Sequence, residues 1–547
     1  MRSLPIERQQ SIPHPASPSP SPIGRPGETM HDHIHHPCTG RRHFLRHSGL
    51  ALAALGSAAG PLQVLAQTQS TLTIAYNVDL PSWDPTVGPS AVNPTIQSLY
   101  KAVFSQFIDQ NPDLSLKPDL LSEWGWNADK TQIGMTVRRG AKWHDGSAVS
   151  AEDVAWSLRR AGDPKTGNPI QFVWSKVGNV RAQGDKVIAD VKEFEPAFFK
   201  WMAFLTGYVL PRAHYEKVGA AGFERKPVGS GPYQVEEFVQ GSHMRLRAFK
   251  GYFGPQPAFE TVVVKFTTDP SARVAELESG RSDLTLEIPY EEAERLRGRG
   301  FNASIAPVSD IGMIFLTNVE PMTNDKVRQA LTLAVDKKGL AERLLKGHVT
   351  PIDTLQAKDY AAFDAGIGVP FDARRAAALM AEAGYSRSKP LKFKVQTTRG
   401  FKPKDFEVMQ AIAGMWKAIG ADVELEVYEV AKHYELRAQH KLAPAAFYNW
   451  GNSIGDPSTS TGFAMFSHSP HSAWKDPKTL DALIAPLWGE KDEAKRIAGY
   501  KAVDRYIADN ALVIPLFQYS QTVVYRKGLR FAPHGAGFVL PQTVGRA

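Results

Sequence analysis

Apolar and polar positions follow two different periods along the chain after residue 70. Residues 71–76 alternate with a period of two, which predicts a strand, and residues 91–107 have apolar positions near helical spacing. From residue 374 onward strands and helices alternate, so we expect an α/β protein with parallel sheet. The same patterns predict further strands at 132–138, 187–191, 234–238, 261–267, 314–318, 391–396, 422–428 and 445–450, and helices beginning after Ser150 and at 273–279, 291–297, 326–346, 374–383 and 405–419.

Several single residues have predicted structural roles. Ser150 opens a sequence that resembles a capping box, in which Asp153 replaces the usual Glu. Gly384 and Gly420 each follow a predicted helix, where glycine is the preferred residue. The other signals of this kind are a tight turn at Gly229, Gly231 and Pro232 and cap or turn roles for Asp283 and Asp336.

Composition excludes some classes of protein. The chain has 547 residues, of which 22% are charged, and its formal net charge is +8. Its basic residues are scattered and form no long Lys/Arg block, which argues against a nucleic-acid-binding protein. Cys38 is the only cysteine and lies in the leader described next, so the mature chain is expected to have neither disulfides nor cysteine metal sites.

Residues 1–66 have the features of an export leader. The pair Arg41 and Arg42, followed by Phe-Leu and a basic residue, resembles a twin-arginine signal. The mildly apolar stretch 48–65 follows and ends in a small-residue cleavage site at Ala66, while translation from Met1 and from Met30 both fit. No later window has 18 consecutive apolar residues. We therefore expect a soluble periplasmic protein that begins near Gln67, without membrane insertion of the mature chain.

Six blocks of sequence follow one another in a characteristic order: 116–124, 137–146 with 151–154, 227–233, 277–283, 325–330 with 334–336, and 381–385. In this order they resemble the periplasmic dipeptide- and oligopeptide-binding proteins, extracellular solute-binding family 5, of ABC importers. The resemblance implies two α/β lobes joined by a hinge, which close over a ligand, with an extra N-terminal subdomain. It implies lobe I at 67–285 with the subdomain at about 108–175, lobe II at 286–515, and a return to lobe I at 516–547.

The resemblance also implies a ligand site. Arg399 occupies the position of the family's carboxylate-binding Arg, and Trp450 is expected to contact the ligand. The family binds the ligand ammonium with an Asp three residues after this Trp, whereas here that residue is Ser453, as in the glutathione-binding branch. A second interpretation is that Ser453 faces away and another carboxylate, such as Asp456 or Asp79, meets the amine. The remaining site candidates are Asn452, within the same segment, and Tyr76, at the end of the first strand.

The expected function is capture of a peptide or peptide-like, carboxylate-bearing ligand by a monomer that uses no cofactor and serves permease subunits with a separate ATPase. One alternative is a serine hydrolase, because 451–455 reads G-x-S-x-G, with Asp504 and His534 as nominal triad partners. The S-x-x-K sequence at 386–389 lies in a predicted loop and favours no nucleophile. Receptors of the same fold for nickel, haem or oligosaccharide are further alternatives, although the histidines of the mature chain lack metal-ligand spacing.

Overall fold

The computed structural model describes residues 70–88, 91, 94–358, 360–469 and 472–547. The predicted leader, with its twin-arginine pair and the cleavage site at Ala66, lies outside the described residues. Residues 68–547 form one compact unit. Within the described part of the chain, no helix combines the length and the apolar character that a membrane span requires.

Strands and helices occur throughout this unit, which confirms the α/β class. The strands are β1 (Thr71–Tyr76), β2 (Ile108–Gln110), β3 (Leu116–Pro118), β4 (Leu121–Trp126), β5 (Gln132–Val137), β6 (Val177–Gln183), β7 (Lys186–Val191), β8 (Tyr233–Val239), β9 (His243–Ala248), β10 (Thr261–Phe266), β11 (Leu284–Leu286), β12 (Asn302–Leu316), β13 (Thr350–Pro351), β14 (Leu391–Thr397), β15 (Ala421–Val427), β16 (Ala445–Gly451), β17 (Val513–Tyr525), β18 (Leu529–Arg530) and β19 (Gly545–Arg546). The helices are α1 (Pro94–Val103), α2 (Ala151–Gly162), α3 (Gln171–Trp174), α4 (Phe198–Met202), α5 (Arg212–Arg225), α6 (Pro270–Glu278), α7 (Tyr290–Gly298), α8 (Asp325–Leu333), α9 (Lys337–Gly339), α10 (Ala373–Glu382), α11 (Asp405–Ala418), α12 (Val430–Ala438), α13 (Phe463–Met465), α14 (Leu480–Ile484) and α15 (Glu493–Asp509).

One large mixed sheet runs through the molecule in the order β15-β14-β16-β12-β17-β11-β1-β10-β9-β8. Strand β1 is parallel to β10 and β11, and β14 is parallel to β15 and β16, so each half of the sheet has its own parallel group. The long strands β12 and β17 pair antiparallel between these groups. A separate four-stranded sheet, β4-β5-β7-β6, belongs to the N-terminal half. The lobe boundaries remain predictions.

The cores follow from the burial of alternate residues. In β12, Ile311 and Phe315 pack into one hydrophobic cluster while Ile314 and Leu316 pack into another, because successive side chains of a strand point to opposite faces. A third cluster surrounds β1 and β10, and a fourth fills the four-stranded sheet and its helix α2. Strands buried on both faces explain why several segments read as continuous apolar runs.

Most of the predicted local features are confirmed. The element ends differ from the predictions by at most four residues, except in the two cases below. Ser150 accepts a hydrogen bond from the backbone N–H of Asp153, whose carboxylate accepts from that of Ser150, so the capping box is complete with Asp. Gly384 and Gly420 have φ values of 88° and 98°, the left-handed conformation expected after a helix.

Two predicted elements are wrong in extent. The single helix over 326–346 is interrupted at 334–336, where Asp336 caps a new helical segment by accepting from the backbone N–H of Gly339. The strand expected at 314–318 is the end of the 15-residue strand β12, whose first half is only partly buried. Asp283 has a role other than capping: its carboxylate accepts from the N–H of Thr73 and pairs with Arg526 at 2.7 Å.

Candidate functional site

The two parallel groups of strands point their carboxyl ends toward the same place, where Glu287 follows β11 and Lys402 follows β14; this place is called the common region. Ligands of α/β proteins bind outside such ends, where the direction of the sheet order changes. Strand β11 ends before Glu287, and β14 ends before a loop that contains Lys402. Burial opposes the charge of Lys402, but the charges of Asp310 and Glu287 outweigh this effect and raise the pKa of Lys402. Residues that follow strands of both groups therefore lie close together here.

The loop at 398–404 is organised by one buried carboxylate. Asp405 accepts hydrogen bonds from the backbone N–H groups of Gly400 and Phe401 at 2.8 and 3.0 Å and from the hydroxyl of Thr398 at 2.8 Å. Arg399 is exposed at the start of this loop, with its guanidinium 3.9 Å from the ring centre of Phe406. The loop thus holds the predicted carboxylate-binding residue at the rim of the region, not inside it.

An ion pair that the sequence patterns did not reveal lies deeper. Lys402 pairs with Asp310, and their side chains are 20% and 16% exposed. Asn449 donates to the same carboxylate at 3.0 Å, while its own carbonyl oxygen and the hydroxyl of Tyr519 are buried and have no hydrogen-bond partner among the described residues. Asp310 lies opposite Gly451 in the β12–β16 register. The acid is therefore on β12, the neighbour of β16, and Ser453 lies in the loop that follows β16.

Trp450 is a buried member of the hydrophobic cluster that also contains Ile311 and Phe315 of β12. Its side chain is 9% exposed, and its indole N–H donates to the carbonyl of Thr459 at 2.7 Å. The ring packs edge-on against Phe315, and the guanidinium of Arg437 lies 5.1 Å from its centre. A cation this close to a Trp face was not expected from the sequence, where Arg437 is one of many Arg residues on predicted surfaces.

The segment after Trp450 is fixed by its own polar groups. Asn452 donates to the carbonyl of Asp456 at 2.9 Å and accepts from its N–H at 3.1 Å, so the predicted site residue Asn452 closes the turn. Ser453 is 4% exposed, and its hydroxyl accepts from that of Ser309 at 3.2 Å. The carbonyl of Ser453 accepts from Gln110 at 3.1 Å, which joins this segment to the N-terminal half.

Asp456 is fully buried and already bound by two cations. Arg496 approaches it with two nitrogens at 2.7 and 2.9 Å, and Lys200 lies at 3.2 Å. Burial opposes its charge, yet Lys200 and Arg496 hold the pKa of Asp456 well below its usual range. The suggestion that Asp456 meets a ligand amine is therefore corrected, because its carboxylate is committed to these two side chains.

Tyr76 faces the core in this structure. It is 1% exposed, and its hydroxyl donates to the carbonyl of Thr95 at 2.6 Å. Burial raises the pKa of this hydroxyl, consistent with an apolar environment. Through this hydrogen bond the side chain of Tyr76 stabilises the start of helix α1, while the chain that follows β1 extends toward the common region.

The residues of the hydrolase alternative bond elsewhere. Ser453 pairs with Ser309, Asp504 accepts from the hydroxyl of Thr461, and His534 accepts from the N–H of Ala536. A catalytic triad requires one hydrogen bond between the nucleophile and the base and another between the base and the acid. Within the described ranges, no cluster of three or more His, Cys, Asp or Glu side chains could hold a metal ion.

Comparison with known proteins finds relatives along most of the chain. The family model for bacterial extracellular solute-binding proteins, family 5 Middle, matches residues 115–473. The dipeptide-binding protein of Escherichia coli K12 is 24% identical over 425 residues, which cover 72% of this chain and 79% of the relative. The glutathione-binding protein GsiB of Salmonella choleraesuis is 25% identical over 503 residues, which cover 89% of this chain and 96% of the relative.

Solved structures show the same fold. The dipeptide-binding protein of Pseudoalteromonas sp. SM9913, in complex with Met-Leu, superposes with a TM-score of 0.76 at 20% identity, over 87% of this chain and all of that chain. NikA of Brucella suis, in complex with Fe(III)-EDTA, superposes with a TM-score of 0.77 at 20% identity over the same shares. These matches confirm the two-lobed periplasmic-binding-protein fold.

Proposed function

Because the chain belongs to the bacterial extracellular solute-binding proteins of family 5, we propose that it captures a peptide-like, carboxylate-bearing ligand for an ABC importer. The relatives that it matches are solute-binding proteins rather than enzymes, and they include peptide- and glutathione-binding members. In this proposal the protein works in the periplasm as a monomer, and permease subunits with a separate ATPase receive the ligand.

One observation carries this proposal. The carboxyl ends of the two parallel strand groups converge beside the segment of Trp450 and Ser453, with Arg399 exposed at the rim, and the N-terminal half contacts this segment through Gln110. A ligand bound there touches both halves of the molecule, so it stabilises the closed arrangement more than an open one. A receptor needs this preferential stabilisation of the closed form if closure is to distinguish the ligand-bound protein from the empty one.

The ligand class follows from the charges around this place. Arg399 supplies an exposed guanidinium whose fork suits a carboxylate. Ser453 provides no negative charge, and Asp456 is occupied by Arg496 and Lys200. Glutathione, whose γ-linked Glu places its charges differently from those of an ordinary tripeptide, is therefore the first ligand to test, followed by ordinary dipeptides.

We expect Arg399→Ala to weaken binding of glutathione at least roughly tenfold, about 1.4 kcal/mol, because the ligand carboxylate loses a charged donor. Ser453→Asp is expected to improve binding of the dipeptide Ala-Leu, since it supplies an anion for the free ammonium. Calorimetry of the purified protein and both variants measures these effects. Arg374→Ala, at an exposed position of α10, is the control and is expected to bind as the unchanged protein does.

The outcomes separate the parts of the proposal. Unchanged affinity in Arg399→Ala, together with tight binding of Ala-Leu by the unchanged protein, contradicts the assigned roles of Arg399 and Ser453 but leaves the receptor function standing. Absence of binding to every peptide-like probe contradicts the ligand class itself.

A further inference from the structure

Buried arginines in the described part of the chain differ in how their charge is balanced. Arg273, Arg328 and Arg496 are at most 4% exposed, and each donates several hydrogen bonds. Arg273 donates to four main-chain carbonyls, Arg328 to two carbonyls and a carboxylate, and Arg496 to two carboxylates. These three show what a buried guanidinium requires: acceptors for most of its five N–H groups.

Arg437 is the exception. It is 7% exposed, and among the described residues its side chain forms no hydrogen bond and no ion pair. Its Nε is buried without an acceptor. Three aromatic rings surround the guanidinium instead, with ring centres 4.8 Å away in Tyr434 and Tyr448 and 5.1 Å away in Trp450. Burial lowers the pKa of Arg437, and no carboxylate offsets this effect.

This arrangement leaves the side-chain N–H groups of Arg437 without a protein acceptor among the described residues, and Nε is also buried from solvent. Ring faces attract a cation through their quadrupoles, but they do not replace in-plane hydrogen-bond acceptors. A desolvated charge that lacks such acceptors is unfavourable until an anion reaches it. The planar fork of Arg matches the two oxygens of a carboxylate, and the aromatic rings offer flat surfaces for the atoms next to that group.

From this geometry we infer that Arg437 is an anion-binding group that receives a carboxylate of the ligand beside Trp450. Helix α12, which carries Arg437, begins shortly after the carboxyl end of β15, and Trp450 lies near that of β16, so the site belongs to the common region. It is distinct from Arg399, which is exposed on the loop after β14. The inference rests on the proposed function and names a second, buried cation for the ligand.

Matched ligands test the inference directly. Calorimetry compares glutathione and Ala-Leu, each with a free and with an amidated C-terminal carboxyl group, on the unchanged protein and on Arg437→Met. The unchanged protein is expected to prefer the free carboxylate by between about tenfold and a hundredfold, as charge-assisted hydrogen bonds allow. Arg437→Met is expected to reduce this preference at least about tenfold, and any preference that Arg399 maintains is expected to disappear in the double variant Arg399→Ala/Arg437→Met. A preference for the free form that is as large in Arg437→Met as in the unchanged protein overturns the inference, whereas the receptor function would stand.

Thermal unfolding without ligand gives an independent readout. If the charge of Arg437 lacks a counter-ion, Arg437→Met unfolds at the same temperature as the unchanged protein or at a higher one. Arg328→Met is the matched control, because Arg328 also lies 4.9 Å from a Trp ring but has its acceptors, and it is expected to unfold at a lower temperature. Equal losses in the two variants would give Arg437 a structural role and overturn the inference even if none of the probes binds.

Discussion

Asp456 and Asp504 are both buried in the C-terminal half, yet their surroundings act on them in opposite directions. Asp456 has two cations within 3.2 Å and keeps its charge. Asp504 is 2% exposed and accepts a hydrogen bond from Thr461, and its second oxygen has no hydrogen-bond partner within the part of the chain that the structure describes. Burial raises the pKa of Asp504 to about 7, and the charge of Asp364 adds to the shift. Of these two carboxylates, only Asp504 therefore titrates near neutral pH.

This difference makes stability depend on pH. The folded protein binds a proton at Asp504 more tightly than the unfolded chain does, so its stability falls as pH rises from about 4 to about 7. Asp504→Asn cannot ionise, and we expect it to be more stable than the unchanged protein at pH 8 by about 4 kcal/mol at most. The advantage is expected to shrink toward pH 4. Urea unfolding of both proteins at several pH values measures the difference.

Asp509→Asn is the control for this prediction. Asp509 lies on the same helix, α15, but is exposed, so Asp509→Asn removes no buried carboxylate and is expected to give no gain in stability at pH 8 comparable to that of Asp504→Asn. An advantage of Asp504→Asn that does not vary between pH 4 and pH 8 would contradict the raised pKa of the buried carboxyl.

At the level of elements, the turn at 229–232 is fixed by a close approach to helix α1. A Cβ on Gly229 would lie 2.0 Å from the carbonyl oxygen of Val103, and one on Gly231 would lie 2.6 Å from the carbonyl carbon. The main chain of the turn and the end of the helix are thus in direct contact, and neither can yield as a flexible side chain does. The turn predicted from Gly and Pro is present, but steric contact with α1 is the reason that it needs glycine.

We expect Gly229→Ala to lower the thermal stability of the protein clearly, because the added methyl group forces two main-chain segments apart. Gly414→Ala is the matched substitution: Gly414 is exposed in helix α11, and a Cβ there meets no atom within 4 Å. It is expected to stabilise the protein by about 0.5–1 kcal/mol, as alanine does in a helix. Similar melting temperatures for the two variants would argue against the steric explanation.

Element type was predictable where local signals and tertiary structure agree. The capping box at Ser150 and the glycine stops of α10 and α11 determine their helix ends locally. The break at 334–336 and the length of β12 were not predictable, because they arise from a cap that competes with a helical pattern and from pairing with β17, some 200 residues away.

The candidate site was predictable only in part. The segments that contain Arg399 and Trp450 were identified from their resemblance to the family, and their roles in ligand binding remain predictions. The Asp310–Lys402 pair and the ring-enclosed Arg437 were missed, since isolated charged residues of a strand or helix carry no sign of their tertiary partners. The spacing of Tyr434 and Arg437, one helical turn apart, was the only available signal.

At the level of the whole molecule, the N-terminal half also contacts the C-terminal half through a pair of lysines. Lys130 donates to the carbonyl of Lys491, and Lys491 donates to the carbonyl of Asp129 at 3.0 Å. Lys491 is exposed and Lys130 is half-buried, and together with the Gln110–Ser453 contact they join the N-terminal half to the second half. These bonds form only when the halves are close.

We expect Lys491→Ala to speed dissociation of glutathione by roughly two- to tenfold without changing the binding groups, because the closed form loses one exposed hydrogen bond. Stopped-flow tryptophan fluorescence measures the rate, and small-angle X-ray scattering of the ligand-bound protein should show a larger radius. Lys495→Ala, at an exposed position in the first turn of α15, is expected to behave as the unchanged protein does. Identical dissociation rates for both variants would rule out a role for this contact in closure.

The acceptors of this lysine pair are main-chain carbonyls, and every amino acid supplies one. Residue 129 can therefore be exchanged during evolution without loss of the bond, and replacement of Lys491 leaves the acceptor of Lys130 in place. The two bonds fail independently, so a lineage can lose one and keep the other. Related receptors can consequently preserve this contact while the residues at positions 129 and 491 show no correlated substitutions, and comparison of sequences alone would not reveal it.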